Sequence, residues 1–259
     1  MLVPRREADT ILPSMDLLPL LPFIFLGALL YTSVGHGGAT VYLAVFTLFG
    51  LATAPLVTVV LVLNIVAASI AWLAFRQAGY LRWKLLAPLV VVSVPMAYVG
   101  GLAPIAGRQQ AVLLGVALLF GGLRLLLVSG TPSSGVRFGA STSYGIALVV
   151  GAVLGFLAGA TGIGGGIFLS PVLIALRWAT VQEAASVASA FIVLNSVAGL
   201  AAKLPSTPLQ FDAVSQLIVI VVIGALAGSY LGARRLPTQY VQRSLGLVLL
   251  VASAKSLLL

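Results

Sequence analysis

Apolar residues gather in ten runs, separated by short polar or glycine-rich stretches. The runs lie near 17–34, 39–51, 54–75, 84–102 and 109–128, and again near 142–160, 167–178, 185–202, 213–233 and 240–258. About 20 apolar residues in a helix cross the roughly 30 Å of hydrocarbon in a bilayer. Most of the runs are therefore expected to be membrane-crossing helices. The second run of each set is short for a full crossing and is expected to be tilted, broken or re-entrant. The pattern predicts an all-α polytopic membrane protein of eight to ten spans. Its parts are an N-terminal tail (1–16), a first bundle (17–128), a connecting loop (129–141) and a second bundle (142–259).

The two sets resemble each other in detail. Asn64 in LVLNIVA matches Asn195 in IVLNSVA at an offset of 131, which also pairs Gly101 with Gly232, Gly115 with Gly246 and Arg124 with Lys255. A glycine-rich stretch follows the first run of each set: VGHGGAT from Val34 to Thr40, and TGIGGGI from Thr161 to Ile167. These two match at an offset of 127. Such internal duplication is common among transporters.

Composition agrees: 61% of the 259 residues are hydrophobic and only 7% are charged, against about a quarter charged in a soluble domain. The net charge of +9 orients helices rather than binding nucleic acid, because basic residues in short loops favour the cytoplasmic side. In the first set they crowd the connection between runs three and four (Arg76, Arg82, Lys84). In the second they move along by one connection, to Arg234, Arg235 and Arg243. Equivalent loops then face opposite sides, so the two repeats, of about five segments each, are expected to be inverted; eight spans with parallel repeats, the short segments dipping in and returning, would leave the charge switch unexplained. Gly151, Gly155 and Gly159, like Gly224, Gly228 and Gly232, recur every four residues and are expected to let helices approach closely in lipid.

A glycine run between two apolar helices marks a break in helicity, which a bilayer tolerates only where protein or a wet cavity meets the freed main chain. The helix that resumes turns its positive end and its free amides towards the gap, a ready site for an anion. The candidate binding residues are therefore Gly35, His36, Gly37 and Gly38, with Gly162, Gly164, Gly165 and Gly166. Ser33, Thr40 and Thr161 could add hydroxyl donors, and Asn64 and Asn195 either bind solute or bond to neighbouring helices. His36 could carry a proton near neutral pH. The five acidic residues (Glu7, Asp9, Asp16, Glu183, Asp212) fall in the tail or at connections, so a carboxylate-lined cation path lacks its residues. The loops lack the Gly-Lys-Ser/Thr ending of a phosphate loop and the third glycine of the dinucleotide fingerprint. With no cysteine and a single histidine, an enzyme is not expected, nor a metal or cofactor.

GATGIGGGIFLSPVL, containing Pro171, resembles the signature of the sulfite exporter TauE/SafE family. SVGHGGATVYLAVFTLFG and LVLNIVAASIAWLAF look like the matching segments of its first half. The resemblance runs from about Leu17 to Leu259. It implies a multi-pass permease of the bacterial inner membrane that exports small sulfur-containing anions such as sulfite or organosulfonates. It also implies eight spans, against the ten segments read from the runs. The expected partners are a small anionic solute, the lipid bilayer and, as an option, a second copy of the chain. A passive anion channel or facilitator, or a permease for another small organic anion, is the alternative.

Overall fold

The computed structural model describes residues 17–51, 53–103, 107–127, 138 and 141–234, with isolated positions between 246 and 258. The expected N-terminal tail and most of the 129–141 loop lie outside these residues, as does much of the tenth run.

All regular structure among the described residues is helical. After a 3-10 turn at Leu18–Leu20 come α1 (Leu21–Ser33), α2 (Ala39–Leu48), α3 (Thr53–Gln77), α4 (Trp83–Leu102) and α5 (Gly107–Leu127). They are followed by α6 (Ser141–Thr161), α7 (Gly166–Ala175), α8 (Val181–Lys203) and α9 (Phe211–Arg234). Each helix falls on one of the apolar runs. The stretches Leu56–Gln77, Trp83–Leu102, Ser143–Thr161, Val181–Lys203 and Phe211–Ala233 are long and apolar enough to cross a membrane. The chain is a polytopic membrane protein. α2 and α7 are ten residues each, about 15 Å at the helical rise and half the hydrocarbon thickness. The short second runs are thus short helices, which is where an eight-span and a ten-segment reading part.

The start of α8 has a capping box: Thr180 Oγ1 accepts from the Glu183 amide, and the Glu183 carboxylate accepts from the Thr180 amide at 2.8 Å. Glu183 also lies 3.6 Å from Arg82, ahead of α4, and Arg82 donates to the Trp178 carbonyl. These polar contacts tie the two ends together outside the apolar layer.

Packing exchanges partners between the two sets. A Cβ built on Gly151, Gly155 or Gly159 of α6 would meet the carbonyls of Leu89, Ser93 or Ala97 on α4. On Gly224, Gly228 or Gly232 of α9 it would meet those of Phe25, Leu29 or Ser33 on α1. Lipid tails are as apolar as leucine, so close backbone approach, rather than water exclusion, joins these helices. Thr32 Oγ1, which donates to the Ala28 carbonyl of its own helix at 2.7 Å, also lies 3.3 Å from the Ala225 carbonyl on α9. As a result the apolar core is in two parts. One joins α1, α2 and α3 to α9, together with Leu118 of α5, Ile163 and Ile167, and the other joins α6, α7 and α8 to α4. Ser253 donates to the Gly115 carbonyl of α5 at 2.7 Å, so the described positions of the tenth run lie along α5.

The matching seams within these two parts differ. Where α4 meets α8, Gly101 fits against Ala202 and Gly199, and Lys203 Nζ reaches the Gly101 carbonyl at 3.5 Å. Where α3 meets α9 there is a cavity of about 580 Å³, lined by Ile70, Ala74 and Gln77 on one side and Ala227, Ser229 and Ala233 on the other.

Two predictions follow from this packing. Gly155→Leu forces α6 off α4 and lowers stability by about 1–3 kcal/mol, the usual cost of overpacking. Gly145→Ala, on the same helix with nothing within 4 Å of its Cβ, is neutral or stabilising by up to about 1 kcal/mol. Thr180→Ala removes the α8 cap and costs about 0.5–2 kcal/mol. Thermal unfolding of the purified protein in detergent checks both; equal effects of the two glycine variants would contradict the packing argument.

Candidate functional site

The two glycine stretches form breaks between α1 and α2 and between α6 and α7. α1 ends in a double turn, with the Gly35 amide donating to Thr32 and the His36 amide to Tyr31 at 3.1 and 2.9 Å. α6 ends on a single bond, from the Gly162 amide to Ala158 at 3.0 Å. Gly35 (φ +76°) and Gly162 (φ +74°) take the left-handed conformation at these stops. Gly38 (φ +105°) and Gly165 (φ +76°) take it again just before α2 and α7 begin. A side chain with a Cβ pays a steric penalty in this region, so glycine at these points is what lets the chain stop, turn and restart within a few residues.

The breaks meet each other. Asn64, in the middle of α3 and buried, accepts from the Ala39 amide at 3.1 Å, capping α2. Its Nδ2 donates to Ser196 Oγ at 2.9 Å and to the Ile163 carbonyl, in the second break, at 3.5 Å. His36, also buried, spans the same gap. Its Nδ1 lies 3.0 Å from the Val34 carbonyl, and its Nε2 lies 3.2 Å from the Gly166 carbonyl and 3.4 Å from Ser170 Oγ. Tyr42 donates from α2 back to the Gly37 carbonyl.

Amides of Gly37, Gly38 and Thr40 in one break, and of Gly164, Gly165 and Gly166 in the other, have no protein acceptor among the described residues. All six of these residues are buried. Buried main-chain N–H groups are paired in the great majority of native structures, so six at two related places are a concentration of unused donor capacity. They sit at the N-termini of α2 and α7, where the helix dipoles add positive potential. The described carboxylates, Glu183 and Asp212, lie in the first turns of α8 and α9.

The structure treats the other candidates unequally. Ser33 Oγ and Thr161 Oγ1 donate to carbonyls of their own helices, Leu30 and Leu157, which occupies their protons. Thr40 is buried in the first turn of α2. Asn195 donates to the Phe191 carbonyl at 2.7 Å and to Ser93 at 3.0 Å, but its Oδ1 has no partner among the described residues. Ser196, Ser170, Ser93 and Tyr42 join the network without having been singled out in the sequence. Ser196 directly follows the repeated asparagine, the one cue that could have found it; the other three reach the site only through tertiary packing.

Neighbouring helices lie close against the loops among the described residues. A Cβ at Gly35 would meet Ala185, at Gly37 Asn64, at Gly164 Asn64 and Ser196, and at Gly166 Ile192. Side chains of α3 and α8 cover the breaks, and the cavity between α3 and α9 is lined by neither glycine stretch.

Comparison with known proteins bears on the class. Residues 20–256 match the family described as sulfite exporter TauE/SafE. The "Probable membrane transporter protein y4hK" of Sinorhizobium fredii (strain NBRC 101917 / NGR234) is 28% identical over 234 residues, covering 90% of this chain and 95% of that protein. No solved structure matches. A helical membrane bundle with two glycine breaks meeting at its centre, matched over nearly its whole length, places the chain in the sulfite exporter TauE/SafE family of membrane transporters.

Proposed function

We propose that the chain is a secondary transporter that exports a small sulfur-containing anion, sulfite or a sulfonate, across the bacterial inner membrane by alternating access. Main-chain amides of the two glycine breaks hold the anionic head group. The observation that carries this reading is the set of six buried amides, without acceptors among the described residues, at Gly37, Gly38, Thr40, Gly164, Gly165 and Gly166. An oxyanion accepts several hydrogen bonds at once and gains from both helix ends; a cation would meet the same groups at the wrong sign. His36 and Asn64 link the breaks and hold the two sets of amides close. The family's description supports sulfite-like cargo.

The helix directions support inverted repeats. Contacts advance together along α6 and α4, along α9 and α1, and along α8 and α4, where Ser93 meets Asn195 and Gly101 meets Ala202; each pair runs parallel. The link from Leu204 to Gln210 spans at most about 25 Å. It is too short to carry the chain back along the roughly 34 Å of α8, so α9 opposes α8. It follows that α1 opposes α6. The two bodies, α1–α3 with α9 and α6–α8 with α4, would each change at an internal seam, α3–α9 in one and α4–α8 in the other. With the α4–α8 seam closed and a cavity at the α3–α9 seam, this conformation suits a state closed towards one side of the membrane. Covered loops fit the same picture, since the amides become available when one of these seams opens.

Flux in proteoliposomes tests this. Labelled sulfite is expected to enter faster when unlabelled sulfite is inside, and to saturate. Gly37→Ala and Gly164→Ala are expected to reduce exchange at least about tenfold, equivalent to about 1.4 kcal/mol. Gly151→Ala, which crowds α4 away from the breaks, lowers thermal stability while the folded fraction still exchanges. Flux without trans-stimulation or saturation would favour a passive channel, and unchanged exchange in both loop variants would overturn the amide site.

A further inference from the structure

The matched asparagines do unequal work. Asn64 Oδ1 caps α2 through the Ala39 amide, while its Nδ2 crosses to Ile163 and Ser196, joining the α1–α3/α9 body to the α6–α8/α4 body. At the offsets of the duplication, Asn195 corresponds to Asn64, Gly166 to Ala39, His36 to Ile163 and Val60 to Phe191. The matching bonds would run from the Gly166 amide to Asn195 Oδ1 and from Asn195 Nδ2 to the His36 carbonyl. Neither is made: the Gly166 amide and Asn195 Oδ1 are both buried and without a partner among the described residues. Asn195 Nδ2 is turned back on its own helix, to Phe191, and to Ser93 within its own body.

Resting on the alternating-access reading above, we propose that Asn64 and Asn195 are positioning residues that take turns. In this conformation Asn64 caps its short helix and bridges the bodies, while Asn195 is withdrawn. In the oppositely open state Asn195 caps α7 and reaches the His36 carbonyl, and Asn64 withdraws to the Val60 carbonyl. Inverted repeats supply the reason. The second state of such a carrier is obtained by giving each repeat the conformation of the other, so a bond made once here is made at its counterpart there. The two unpaired groups near the second break are the halves of that future bond. Each state then leaves one short helix capped and the other uncapped, which keeps the two states close in energy.

The chain has no cysteine, so single introduced cysteines report on each seam. Ala227→Cys lies at the α3–α9 cavity, and Met96→Cys is its counterpart on α4. Maleimide labelling rates of the purified full chain give the ratio of the two. Asn64→Ala is expected to lower the Ala227/Met96 ratio at least threefold, by weakening the state seen here. Asn195→Ala is expected to raise it, and the double variant to return it towards wild type. Ser196→Ala removes an acceptor whose counterpart, Ile65, has no hydroxyl; it moves the ratio as Asn64→Ala does, and serves if that variant fails to fold. Single variants that move the ratio the same way or not at all, or a double that does not return it, overturn the pairing. Saturating sulfite separates the two claims: an unmoved wild-type ratio sinks the transport reading, whereas a moved ratio without opposed variants sinks only the pairing.

Discussion

The constraint on which this structure depends is that a main-chain N–H inside a bilayer has no water to turn to. Long helices meet that demand internally. Two breaks packed against the middle of α3 cannot, and the molecule meets the demand only in part. Helix-end turns use the Gly35, His36 and Gly162 amides, and Asn64 takes that of Ala39. The rest stay uncommitted under a cover of side chains. Leaving donors unpaired in a protein interior costs about 1–3 kcal/mol each, and a fold that carries such a cost at two matched places has a use for the groups concerned.

That cost is set against unusually close helix contact. Glycines every four residues bring α6 onto α4 and α9 onto α1 until backbone meets backbone. The dispersion gained there holds each short hairpin, α1–α2 and α6–α7, against a long helix from the other set. Rigid seams thus surround a centre whose polar bonds are few and asymmetric. Movement confined to the central bonds and the α3–α9 and α4–α8 seams leaves the glycine seams undisturbed.

Much of this was legible in the sequence because apolar length and glycine position are local signals. The first nine runs anticipated the described helix ends to within a few residues, and the shortness of the second run of each set appeared as ten-residue α2 and α7. The six glycines at four-residue spacing read correctly as packing positions. The exchange of α4 and α9 between the two cores was not legible, since no single helix records which partner it will touch. Nor was the cover over the breaks: Ala185, Ile192 and Ser196 look like ordinary α8 residues until α8 is laid beside them. Asn64 and Asn195 were identifiable as a pair, but identical letters gave no hint that one would be fully engaged and the other half idle.

The exchanged helices also bear on how the chain can be assembled. Thr32 and the Ala225 carbonyl it touches are 193 positions apart, and the core around α1 is incomplete until α9 arrives. A ribosome releasing residues in order therefore delivers α1–α3 into the membrane with one flank unfilled for most of synthesis. Contacts of such long range are slow to form and leave surface exposed in the interval. The early helices must then wait against lipid or an insertion factor, and a truncated product ending before α9 would leave that flank open.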